Sequence, residues 1–383
     1  MKRVYQFFGV AATALALQLP LLAGCPITDG ATLVVRAPIG NLRVDTSGKG
    51  SVEASVNSKD IVIKEVCGKD RVEYTADAPS PMRGNVDWKI VVPRGVNLDL
   101  VTLGGSINMT DTDGSATLRT TGGSVTVGNI KGKAAIITQG GFIKAGDIGN
   151  SAEFRSSSSG SLEIGNVSGN ADLHTAGGPI KTGTVSGKVT AESGGGAITI
   201  KGARGEVWVT TEAGDIFIGD ASQITAKTAG GTILNNRVSG PAKVHTESGD
   251  IRLESAGASV EASTGYGMIY VKLNPVKMDG DIHVDLQTGV GDITIYIPER
   301  LKANVDAMIE RPALNSKRIT TDFPVGSALS VASTPVTPGR IPMPSMINRF
   351  SAPDRQQFQV NGGGNRVNLH TSLGKIEIWR IKM

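Results

Sequence analysis

The sequence predicts an all-β fold: a single-chain parallel β-solenoid wound in coils of about 18 residues. Three observations predict it. First, the pattern Gly, any residue, then Ile, Val or Leu starts ten times, at Gly105, Gly123, Gly141, Gly160, Gly178, Gly196, Gly214, Gly231, Gly249 and Gly267. The steps are 18 residues, apart from one of 19 and one of 17. Second, a hydroxyl stands three residues before each of these glycines, as in Thr102, Thr120, Thr138, Ser157, Thr175, Ser193 and Thr211. Third, glycine makes up 50 of 383 residues while aromatics are only 4%, so thin aliphatic ladders and tight turns must replace an aromatic-rich core. A unit this short buries no face alone, and copies must stack into one continuous core.

Taken in order, residues 1–24 read as an export signal. Lys2 and Arg3 precede an apolar stretch running from Phe7 to Leu22, broken by Gln18 and Pro20 and ending in small residues. That pattern fits a cleaved signal better than a spanning helix. Leu22-Ala23-Gly24-Cys25 resembles the lipobox of bacterial lipoproteins, and Cys25 is accordingly expected to carry lipid and anchor the chain through residues 25–30. The alternative is ordinary cleavage with Cys25 paired to Cys67, since an exported chain with two cysteines can close one disulfide. The formal charge of +4 includes Lys2 and Arg3, and the remainder is too weak to argue for nucleic acid.

Residues 31–101 hold short alternating runs without the strict repeat, such as Ala31 to Val35, Ser51 to Val56 and Trp88 to Pro93, and are expected to start and cap the solenoid. Residues 102–309 form its body. The third position of every repeat is aliphatic, the fifth and eighth usually are, and a second glycine recurs at the tenth, so each coil holds two short strands separated by corners. The recurrent hydroxyl points inward by alternation and is expected to bond turn backbone rather than act as a nucleophile. Residues 310–357 lose the rhythm and gather Pro335, Pro338, Pro342, Pro344 and Pro353, which predicts a long insertion. Residues 358–383 regain it and are expected to close the far end.

Little in the chain points to chemistry. Coils of 17 to 19 residues leave no spare length for the loops that build a catalytic cleft on a solenoid. Glu153, Asp172 and Glu261 read as a solvated strand face, and Asp281, Asp285 and Asp292 have no partner motif. Asp111-Thr112-Asp113-Gly114 has part of a calcium loop but lacks the remaining spacing. His174, His245, His283 and His370 show no ligand spacing, so no metal, cofactor or catalytic residue is expected. Trp208 lies outward between inward Val207 and Val209, and is the candidate surface-binding residue.

With these motifs in place, the chain resembles the bacterial "putative adhesin" β-solenoid family of unknown function, found on exported and envelope proteins. The resemblance rests on Trp88 to Pro93 running through Leu98-Asp99-Leu100-Val101-Thr102 into Gly105, on the repeated Thr-x-x-Gly-x-Ile unit, on Thr321-Asp322-Phe323-Pro324, and on the ending from Asn361 through Thr371-Ser372-Leu373-Gly374-Lys375-Ile376. It spans roughly residues 31–383 and supplies no site residues. The expected function is therefore adhesion or surface interaction by a non-enzymatic, lipid-anchored envelope protein, on the outer membrane or cell surface. Its expected partners are the membrane and a cell-surface polysaccharide or protein. A self-assembling structural module and a polysaccharide-active β-helix enzyme are the alternatives.

Overall fold

A computed structural model of the protein describes residues 24–77, 85–275, 278, 281–312, 318–324 and 353–382. The chain is a parallel β-solenoid, as the repeat predicts. Each coil gives one strand to each of two facing sheets, and neighbouring coils pair in parallel register. One sheet, here the isoleucine sheet, carries the third-position ladder. Ile107, Val125, Ile143 and Leu162 stack in register, and the ladder continues to Ile269 with no member more than 1% exposed. The other, the hydroxyl sheet, carries Ala116-x-Leu118-x-Thr120 and its equivalents, with the inward hydroxyls stacked at the strand ends.

Those hydroxyls share one recurring acceptor, and several also accept a backbone N–H of their own corner. Thr120 donates to the carbonyl oxygen of Gly105 at 2.6 Å and Thr138 to that of Gly123 at 2.7 Å. Thr211 does the same to Gly196, and Thr264 to Gly249, both at 2.9 Å. Beyond the regular body, Thr288 reaches Gly267 and Thr371 reaches Gly291, again at 2.9 Å. The acceptor is always the repeat glycine of the coil below. The glycine of the next coil crosses the same carbonyl: a Cβ on Gly214 would stand 2.3 Å from Gly196 O. Hydroxyl and glycine are thus two halves of one corner.

One position of the ladder differs from expectation. Ser157 is exposed, and Ser156 is the buried rung, in register with Thr138 and Thr175 and donating to Gly141 O at 3.2 Å. The 19-residue step places its extra residue between the strand end and Gly160, which shifts the hydroxyl by one.

A second corner is held by side-chain amides and carboxylates. Asp111 Oδ1 accepts the Asn129 N–H at 2.7 Å, Asn129 Oδ1 accepts the Asp147 N–H at 2.8 Å, and Asp147 Oδ1 accepts the Asn166 N–H at 2.7 Å. Asn166 Oδ1 then accepts from Thr184 at 2.9 Å. Each rung satisfies a backbone donor that the corner would otherwise leave unpaired.

Both ends are interleaved rather than simply stacked. The first coil, Thr32–Ala37 and Asn41–Gly48, does not lie outermost. It sits between the coil made by Arg71–Asp77 and Asp87–Pro93 and the coil that starts at Asn97–Thr102. Antiparallel strands Val62–Cys67 and Ser51–Val56 then cover the two edges. At the far end, residues 358–383 were expected to close the solenoid, but their strands Asn365–Leu373 and Ile376–Ile381 lie one coil inside it. Asn365–Leu373 inserts between His283–Val290 and Ala303–Ile309, and Ile376–Ile381 between Ile293–Pro298 and Ile319–Thr321. The outer coil and antiparallel Asp354–Val360 form the actual end. Within the span read as an insertion, Ile319–Thr321 is a strand and Phe323 is buried, while residues 325–352 fall outside the described residues.

The closing strand is pinned by charge. Asp306 accepts from Arg355 Nε at 2.9 Å and Nη2 at 2.5 Å, and from Gln357 Nε2 at 2.9 Å. The Arg355 guanidinium holds the Asp306 carboxyl below the usual carboxylate range. A lowered folded-state pKa stabilises above the unfolded value, and that contribution disappears as pH falls through the folded value. Protection factors of the Asp354–Val360 amides, which correct for the pH dependence of intrinsic exchange, should therefore fall once pH drops below about 4, and R355A should show at neutral pH the lowered protection that wild type shows in acid. Hydrogen exchange followed by mass spectrometry measures both. For the repeat itself, T211V leaves the Gly196 carbonyl without its donor and should lower stability by about 1–2 kcal/mol. G214A should cost about 3 kcal/mol by forcing coils apart, both read from urea unfolding.

Candidate functional site

The search for a site begins with Trp208. It lies where the alternation puts it, half-buried on the outer face of the hydroxyl sheet, in register with Thr190 and Thr225. Around it the face is a ladder of paired charges. Arg155 bridges Glu153 and Asp172 at 3.2 and 3.0 Å, and Lys243 meets Glu261 at 2.9 Å. His174 lies between Asp172 at 2.7 Å and Glu192 at 2.9 Å. His245 Nδ1 is 2.7 Å from Ser263 Oγ. Arg155–Glu153 and His174–Asp172 run along one strand and the other contacts run from coil to coil, and a shallow open pocket of about 580 Å³ lies on this face, lined by Arg155, His174 and Glu192. Asp281, Asp285 and Asp292 are not brought together: Asp281 faces His283, Asp285 accepts from Gln287, and Asp292 caps the Lys375 N–H at 2.8 Å. Asp113 pairs with Arg94 and Lys131, both at 3.0 Å, and Asp111 belongs to the corner ladder.

The isoleucine sheet has a different outer face. Phe217 and Leu234 begin an apolar row on successive coils, continued by Arg252 and Tyr270 in register. Tyr296 and Trp379 oppose each other directly on the last two coils before the end. The Tyr270 and Tyr296 rings are 5.6 Å apart and tilted by 51°. The Arg252 guanidinium lies 4.2 Å above the Tyr270 ring and also engages Glu254. Partial burial, then the Glu254 and Tyr296 charges, push the Tyr270 phenol up, so it remains a neutral donor. Tyr270, Tyr296 and Trp379 are each half-buried, leaving ring surface open between polar neighbours Lys272 and Glu377.

Sequence reading missed this group. Its members come from coils up to 109 residues apart, and only the stacked register assembles them. The available signal was at outward positions: the fourth, where Thr126, Lys144 and Thr199 give way to Phe217, Leu234 and Tyr270, and the sixth, where Gly128, Gly146 and Gly165 give way to Tyr296 and Trp379.

A groove of about 730 Å³ opens at the other end, under the antiparallel strand Ser51–Val56. Arg43, Lys89, Asp45 and Asp87 line it, and no histidine or cysteine does. Arg43 and Asp87 approach to 3.9 Å across it. The floor is Trp88, fully buried and donating its indole N–H to Ile39 O at 3.0 Å.

Cys25 lies beside this end, and here the structure corrects an expectation. It is bonded to Cys67, with Cα atoms 5.6 Å apart, which is the alternative the sequence left open. A sulfur in a disulfide has no bond left for lipid, so Cys25 is not an acylated terminus in this structure. Of residues 1–24, expected to be an export signal, 1–23 fall outside the described residues. Beside the disulfide, Tyr74 donates to Glu65 Oε1 at 2.6 Å. Burial, then Glu65, raise the Tyr74 phenol.

The fold is a solenoid whose outward faces carry ladders of side chains, with a groove at the end near Ser51–Val56. Residues 161–318, which run from the coil at Leu162 into the C-terminal coils, match the model of the Toastrack DUF4097 family, a domain of unknown function. The match bears out the resemblance to an adhesin-like solenoid family of unknown function. No curated protein matches the sequence. A solved structure from Clostridium sporogenes, described as a "putative cell adhesion protein", aligns over 92% of this chain and 94% of its own at 11% identity, with a TM-score of 0.20. That score is too low for the alignment to carry any argument about shape.

If the disulfide is the exported form, a maleimide should label no thiol until a reductant is added, and the intact mass should contain no acyl chains. Label on the untreated chain, or acyl mass, would restore the lipid-anchor expectation.

Proposed function

We propose that this is an exported, non-catalytic protein of the cell envelope whose solenoid binds polysaccharide at the cell surface. The observation that carries the reading is the group formed by Tyr270, Tyr296 and Trp379. It is an open aromatic face on a rigid sheet, flanked by groups able to hydrogen-bond sugar hydroxyls. Aromatic faces of this kind stack on the C–H faces of pyranose rings, and rigid rings lose little entropy on binding. Export is supported by the charged and apolar start of the chain and by the disulfide, which suits an oxidising compartment. Antiparallel strands cover both sheet edges at the first end and the hydroxyl-sheet edge at the far end, which disfavours end-to-end self-assembly. Trp208 stands alone among threonines, and is the weaker of the two aromatic positions.

Binding to purified cell-wall and capsular polysaccharides tests this. The double variant Y296A/W379A should bind at least about tenfold more weakly, the scale of losing a binding hot spot, with a melting temperature that controls for folding. W208A should bind as wild type does. Loss confined to W208A would move the site to the other sheet, and no binding to any polysaccharide or cell surface would end the reading. Incubation with acidic polysaccharides should release no product; cleavage would make the protein an enzyme.

A further inference from the structure

We propose that reduction of the Cys25–Cys67 disulfide opens a site for a thiophilic divalent cation of the zinc class, held by Cys25, Cys67 and Glu65. The donor atoms of these three residues all lie within 4.8 Å of one another. Their convergence follows from the fold. Glu65 and Cys67 are two apart on strand Val62–Cys67 and so share a face, while Cys25 arrives on Cys25–Pro26, antiparallel to Ser51–Val56. Glu65 Oε1 is 2.8 Å from Cys25 Sγ.

The surroundings favour an added cation. Lys64 turns to Asp77 and Arg71 to Glu73, and the Glu65 carboxylate forms no ion pair with a basic side chain among the described residues, while Lys69 lines the neighbouring pocket beside Cys67. Tyr74, fully buried, donates to Glu65 Oε1 at 2.6 Å and fixes the carboxylate in place, the usual job of a group behind a metal ligand. Cys25 is 1% exposed and Cys67 is exposed, which gives one sheltered ligand and one open side where water completes a tetrahedron. Cys67 ends an edge strand, so the two sulfurs can separate to the spacing that Zn–S bonds of about 2.3 Å require.

The chemistry balances with a dithiol as reductant. Its two thiols give two electrons and two protons to the S–S bond, producing Cys25–SH and Cys67–SH while the dithiol closes to its own disulfide. Cation binding then displaces both thiol protons to solvent, since the thiolate is the ligand. The site is independent of the polysaccharide face, which lies on the coils at the other end.

The test uses the exported protein, oxidised or reduced and then freed of reductant under nitrogen, titrated with Cd²⁺. Reduced protein should show thiolate-to-cadmium charge-transfer absorption that saturates with a single ion and is displaced by Zn²⁺, and oxidised protein should show none. C67S should lose the band. E65Q, whose disulfide still forms and reports that the region is folded, should bind at least about tenfold more weakly after reduction. Absence of the band in reduced wild type, or E65Q binding with wild-type affinity, would overturn the proposal.

Discussion

The carbonyl oxygen of each repeat glycine governs this structure. It accepts the inward hydroxyl of the next coil, and the next glycine crosses directly over it. A Cβ at that crossing would collide with backbone, and an aliphatic side chain in place of the hydroxyl would leave a buried acceptor unpaired. Neither residue can change without the other losing its reason. Coil height, strand register and the straightness of both ladders follow from a contact that repeats from Gly40 beneath Thr102 to Gly291 beneath Thr371.

That constraint fixes the inside and leaves the outside free. Inward positions are mostly Ile, Val, Leu, Ala, Thr and Ser, with Met109, Phe154 and Asn235 as departures, while outward positions of the same sheets range from Asp172 and His174 to Trp208 and Trp379. Binding properties of a solenoid therefore reside in which outward residues happen to stack. On the hydroxyl sheet they stack as ion pairs. These are exposed and contribute little to stability individually. Toward the far end of the isoleucine sheet they stack as rings.

The body was legible because its contacts are local in period: each residue meets its equivalent one coil away, so spacing alone reveals the partner. Legibility failed where that rule breaks. Ser157 was read as the rung because counting from Gly160 assumes the extra residue lies elsewhere. The Asp111 to Asn166 ladder was overlooked because its rungs alternate Asp and Asn and end in Thr184, so no single residue type repeats. The order of the end coils was hidden for another reason. Ala303–Ile309 and Asn365–Leu373 both alternate as strands should, and alternation does not say which of them lies nearer the body. Cys25, Glu65 and Cys67 meet only through antiparallel pairings that the repeat does not foreshadow.

The interleaving of the far end has a consequence for how the chain matures. Strands His283–Val290 and Ile293–Pro298 remain raw edges until the final ones arrive, although Ala303–Ile309 has already been made. The last coil is a keystone: it enters a gap between two segments that precede it, and the outer coil gains its parallel neighbour only then. A chain shortened by its last twenty or so residues forfeits two rungs of sheet instead of one, and bares a long parallel edge of the kind that recruits other chains. Closure thus depends on the strands Asn365–Leu373 and Ile376–Ile381, because without them the edges of His283–Val290 and Ile293–Pro298 stay open and with them those edges are sealed.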